Sequence, residues 1–149
     1  MISVDIKVSA HNIPAELERD IEKLEQELAY RIVDEARTLI DSSMPSGRLY
    51  RRGGFKRGAS RGLRLMGKRA RGSGTRIHRA SAPGQPPAED TGKTYRDIHV
   101  RRMSKGNYRV RFGGASGYLE FGTSRMRERP YIIPAIQKAV AKVFNGTKL

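Results

Sequence analysis

Twelve basic residues crowd one stretch of this chain: Arg48, Arg51, Arg52, Lys56, Arg57, Arg61, Arg64, Lys68, Arg69, Arg71, Arg76 and Arg79. No acid interrupts them before Glu89, and glycines from Gly47 to Gly84 are interleaved throughout. Such a run can do one kind of chemistry. Guanidinium forks match the oxygens of phosphate, and glycine lets the backbone come close to an anion. Tyr50 and Phe55 are the aromatics available here to stack on bases, a sparse platform. The expected contact is therefore with a polyanion backbone, without reading of sequence. The plainer alternative is a solvated basic tract with no specific partner.

Other chemistries fit poorly. Gly62-Leu63-Arg64-Leu65-Met66-Gly67-Lys68 has the spacing of a phosphate-binding loop, but Arg69 stands where Ser or Thr must hold magnesium. His11, His78 and His99 are scattered and the chain has no cysteine, so metal ligation is not expected. No G-x-S-x-G nucleophile elbow occurs. Glu120 has no neighbouring carboxylate or base in the sequence, and the expected role for it is an ion pair with Arg109 or Arg111. No enzymatic activity and no cofactor are predicted.

The elements that must position these residues follow from periodicity. Ile2, Val4, Ile6 and Val8 alternate with polar residues as in a half-buried strand, which can pair in its own sheet or complete a neighbour's edge. Leu17, Ile21, Leu24, Leu28, Ile32, Ala36 and Leu39 form one apolar stripe, predicting a long helix that opens after Pro14 and ends near Ser42 or Ser43. Residues 46–91 hold too few large apolar groups to offset ordering entropy and are expected to form a flexible basic insertion. Thr94–Met103 and Tyr108–Phe112 read as strands, and Tyr118–Phe121 as a third short one. A closing helix near Pro130–Phe144 should bury Ile133, Ile136, Val140, Val143 and Phe144. The fold class expected is α+β in a single domain over 1–149: a small, mostly antiparallel sheet against a long N-terminal and a shorter C-terminal helix.

Charge sharpens the picture. The formal net charge is +15. Residues 1–41 carry ten acids and five bases, so residues 42–149 keep the other 25 bases and five acids, a local net of +20. That excess predicts a polyanionic partner. No apolar run of membrane-spanning length and no signal-peptide pattern is seen, and the chain is expected to be soluble and made in a cytoplasm, with no membrane partner.

One stretch points to a particular role. Tyr118-Leu119-Glu120-Phe121-Gly122-Thr123, followed by Arg129-Pro130-Tyr131-Ile132-Ile133-Pro134-Ala135, resembles the head–tail joining (neck, or tail-completion) proteins of long-tailed bacteriophages. Ala82-Pro83-Gly84-Gln85-Pro86-Pro87 with Thr91-Gly92 is similar to a second passage of that family. The resemblance implies a structural virion protein in the neck between head and tail, present in the host cytoplasm during assembly. It implies a homo-oligomeric ring, six- or twelve-fold, that meets head-completion or connector proteins and tail-tube proteins around packaged DNA. Its neighbour contacts would involve Tyr118, Glu120, Gly122, Thr123, Arg125, Arg127 and Arg129. The reading from another class is a nonspecific nucleic-acid-binding protein acting through the Arg/Gly segment.

Overall fold

A computed structural model describes residues 1–7, 13–52, 76–89 and 91–146. In chain order the elements are β1 (Ile2–Lys7), α1 (Ala15–Asp41), β2 (Leu49–Arg52), β3 (Arg76–Arg79), a single helical turn α2 (Lys93–Arg96), β4 (Ile98–Ser104), β5 (Asn107–Phe112), α3 (Ser116–Phe121) and α4 (Ile132–Gly146). The fold is α+β, with α1 and α4 packed on a small antiparallel sheet.

That sheet has the order β1–β5–β4, with β5 central and antiparallel to both neighbours. β1 thus pairs within its own molecule. Strand alternation sorts the side chains into two layers. Facing the helices are the rows Ile2–Phe112–Ile98 and Val4–Val110–Val100, then Ile6 and Arg102 flanking Tyr108. Tyr108, Val110, Phe112 and Ile98 are buried there. The other layer, Ser3–Arg111–His99 and Asp5–Arg109–Arg101, is covered by none of the described elements.

Helix α1 carries the buried residues Ala29, Ile32, Val33, Ala36 and Ile40. Each large aliphatic among them contributes up to roughly 1.5–3 kcal/mol. The apolar stripe does not stay inside along its whole length, because Leu17 and Leu24 are exposed. The early turns are held by charge instead: Glu18 pairs with Lys105 and Glu22 with Arg102, both reaching the β4–β5 hairpin. Further along, Lys142 of α4 pairs with the buried Glu35 of α1.

Three expectations need correction. Tyr118–Phe121 belongs to a helix, α3, not a strand. Ser116 and Glu120 both engage Tyr131, and four residues of helix advance only about 6 Å where a strand would advance about 13 Å. Thr94–Arg96 belongs to the helical turn α2, so β4 begins later than expected. Arg96 fastens that turn by donating to the carbonyls of Thr91 and Gly92.

The third correction concerns α4. Its buried face is Ile132, Ala135, Ala139 and Val143, whereas Ile133, Val140 and Phe144 are exposed. The alanines explain the rotation. α1 and α4 pack together, and each contributes two fully buried alanines whose small size permits a close helix approach.

The basic insertion starts and ends in an antiparallel ribbon, with Leu49 opposite Arg79 and Tyr50 opposite His78. At its base the Gly47 amide donates to the Ala80 carbonyl at 2.7 Å. A Cβ on Gly47 would lie 2.3 Å from the Ser81 carbonyl oxygen, so the two chains meet there without room for a side chain. Ordered structure thus reaches further into 46–91 than expected, since Ser81 and Pro87 are buried. The expected flexible part, with Lys56, Arg57, Arg61, Arg64, Lys68, Arg69 and Arg71, lies outside the described residues.

Candidate functional site

The segment from Ser116 to Ala135 is organised around one carboxylate. Glu120 is buried in α3, and its side chain accepts from three successive backbone amides: Tyr131 and Ile132 at 2.9 Å each through Oε2, and Ile133 at 3.0 Å through Oε1. These are the amides at the start of α4 that have no partner within the helix. The next residue is Pro134, which has no amide hydrogen, and the Ala135 amide then donates to the Tyr131 carbonyl at 3.1 Å. Every orphan donor of this helix start is accounted for. Negative charge here also faces the positive end of the helix dipole.

Tyr131 completes the bracket. It is fully buried, meets Phe112 edge-to-face at 6.1 Å, and donates from its hydroxyl to Ser116 Oγ at 2.7 Å. Ser116 in turn donates to the Gly113 carbonyl at 2.6 Å. Burial pushes the Tyr131 hydroxyl pKa up to about 12, against an opposing pull from the Ser116 hydrogen bond, and the Glu120 charge adds to the rise.

Between α3 and α4 the chain makes a basic turn. Gly122 has φ +72°, and a Cβ on it would come within 3.0 Å of the Glu128 amide nitrogen and the Met126 carbonyl oxygen. Thr123 and Met126 exchange backbone hydrogen bonds, and Thr123 Oγ1 accepts from the amides of Arg125 and Met126 at 3.2 and 3.1 Å. Arg129 closes the turn: its amide donates to the Leu119 carbonyl at 2.6 Å, and its buried guanidinium donates through Nε to the Ser81 carbonyl at 3.2 Å. That last bond, with Gly84 N–H to the Glu128 carbonyl at 3.0 Å, ties the two sequence-predicted passages together.

The predicted contact residues therefore divide. Glu120 and Arg129 lie inside the fold, and the expected ion pair of Glu120 with Arg109 or Arg111 does not form; Arg109 pairs with Asp5 instead. Tyr118, Thr123, Arg125 and Arg127 are exposed, and Gly122 is half-buried. Phe121 joins them at 70% exposure. An open hollow of about 540 Å³ lies beside this turn, lined by Pro83, Phe121, Thr123, Met126, Arg127 and Glu128 among others. Of the predicted polyanion contacts, Arg48 and Arg79 are exposed at the ribbon. Arg51, Arg52 and Arg76 are described by their backbone in β2 and β3.

Two features escaped the sequence reading. One is the capping role of Glu120, hinted at by the proline in the first turn of a helix that begins about a dozen residues later. The other is the outer layer of the sheet, where Arg109 and Arg111 occupy the polar positions of the clearest alternating strand in the chain. Among the described residues, no three His, Asp or Glu side chains are grouped so as to hold a metal ion, and no helix is long and apolar enough to cross a membrane. No protein-family model, curated protein or solved structure matches the chain.

Proposed function

We propose that the protein is a structural component of a tailed-phage neck, assembling as a ring between the DNA-filled head and the tail. One observation supports this reading above the rest. The signature segment spends its buried groups on internal rigidity, while Tyr118, Phe121, Arg125 and Arg127 stand exposed beside one another in the chain on that rigid frame. Ile133, Val140 and Phe144 add an exposed apolar strip on α4. Exposed apolar groups rimmed by charge suit protein–protein assembly better than catalysis. In this reading the turn and the α4 strip meet neighbouring copies or adjacent rings, and the basic insertion meets packaged DNA or an acidic rim.

The test is to remove the protein from its phage and image the particles by electron microscopy. Filled heads without attached tails are expected, together with a fixed multiple of three or six copies in complete virions. Normal tailed particles lacking the protein would end the proposal. Tight solution binding to nucleic acid with no particle association would favour the nonspecific binding protein instead.

A further inference from the structure

We infer that the solvent face of the three-stranded sheet is a phosphate-backbone binding surface for duplex DNA, built from residues other than those of the Arg/Gly insertion. The face carries Lys7, His99, Arg101, Arg109 and Arg111, with Asp5 the one carboxylate among its strand positions. Four cations against one carboxylate leave a net of +3 with His99 neutral. Register decides how they are arranged. Arg101 lies directly opposite Arg109, and His99 directly opposite Arg111. Asp5 is committed to Arg109, whose pKa is raised through that hydrogen bond. Arg111 reaches the Met1 sulfur at 3.0 Å, and among the described residues neither it nor Arg101 has a carboxylate partner.

The chemistry favours phosphate over a protein partner. Like charges directly opposite on a sheet are destabilising, and Asp5 offsets only one of the three arginines, so a further anion is favoured beside Arg101 and Arg111. The face presents no Phe, Tyr, Trp or branched aliphatic side chain, and Met103 stands only at its β4 end, whereas a protein interface would need an apolar core. Nucleic-acid interfaces are instead polar and strongly positive. The two rows of side chains sit about 6.8 Å apart along the strands and about 4.8 Å across them, so neighbouring guanidiniums can each take a separate phosphate oxygen. The opposite face of these strands is packed against α1 and α4, which holds the array in place before any ligand arrives. His99 is the one ring on the face, too sparse a platform for stacking on bases, and binding is expected to ignore sequence.

The experiment measures binding of the full chain to a mixed-sequence duplex DNA by fluorescence anisotropy across a salt series. Arg101→Gln with Arg111→Gln should flatten the plot of log affinity against log salt by about 1.8, from two lost phosphate contacts at about 0.9 each, and weaken binding on the order of fiftyfold at 0.1 M salt. Arg19→Gln with Lys138→Gln removes the same charge from exposed helix positions and should leave the slope unchanged. Thermal melting of both variants controls for folding. Equal slopes in wild type and R101Q/R111Q would overturn the inference. So would equal losses from both double variants, or competition by poly-glutamate as effective as by duplex. These outcomes are independent of the neck proposal, which rises or falls on particle morphology.

Discussion

The bracket around Glu120 and the outer face of the sheet use similar side chains in opposite ways. In the bracket, a carboxylate and a guanidinium are buried; the carboxylate accepts from three backbone amides and the guanidinium donates through Nε to a backbone carbonyl. On the sheet, Arg101 is exposed and Arg111 half-buried, and neither has a carboxylate partner among the described residues. A charge inside a recognisable sequence pattern is therefore not automatically a contact residue. Satisfied charges shape the molecule, and unsatisfied ones remain available to a partner.

Breaking the bracket should have the largest effect. Glu120→Ala strands three amides and removes a charge from a helix start, for a predicted loss of roughly 3 kcal/mol and a Tm about 10 °C lower. Calorimetry checks this, and an unchanged Tm would show that the bracket is not structural. Below the lowered Tm, its salt-dependent DNA binding should match wild type.

The next effect is alkaline. The Tyr131 hydroxyl has a folded-state pKa of about 12, above an unfolded value near 10. Its contribution is complete below pH 10 and is lost as pH rises through the folded value. The expected loss is roughly 2 kcal/mol across that window. Tyr131→Phe should abolish that limb of the denaturation profile, and persistence of the limb would assign it to another group.

Gly122→Ala comes third. A positive φ and two backbone atoms within 3.0 Å of the new methyl predict a cost of about 1–2 kcal/mol by denaturant titration. The smallest change in stability is expected from Asp5→Asn. Asp5 and Arg109 are paired on the surface, where such pairs contribute little at neutral pH. The Arg109 hydrogen bond holds the Asp5 carboxyl below its ordinary range, so whatever the pair adds is present at neutral pH and disappears as acid protonates it. Freed of Asp5, Arg109 should instead steepen the salt dependence of DNA binding by about 0.9. Unaltered dependence would confine the binding face to Arg101 and Arg111.

Much of the fold was legible from periodicity. Alternation marked β1 and β5, the stripe marked α1 to within a residue or two of its end, and the α+β class followed. The placement of the candidate contact residues was not legible: Arg125 and Arg127 are exposed, while Glu120 and Arg129 are internal. The reason is that burial of a polar group depends on partners distant in the chain. Ser81 meets Arg129 across 48 positions, and no local pattern announces that.

By itself, the sequence determined which segments could be helices or strands and that positive charge gathers after residue 41, because both are properties of nearest neighbours and composition. Tertiary structure alone decided that α3 is a helix, that α4 buries Ala135 and Ala139 with Ile132 and Val143 while Ile133, Val140 and Phe144 stay outside, and that Glu120 caps a helix eleven residues away. Those outcomes turn on distances between packed elements. A few ångströms settle whether a methyl group or an isoleucine fits between two helices, and whether a carboxylate reaches three amides at once.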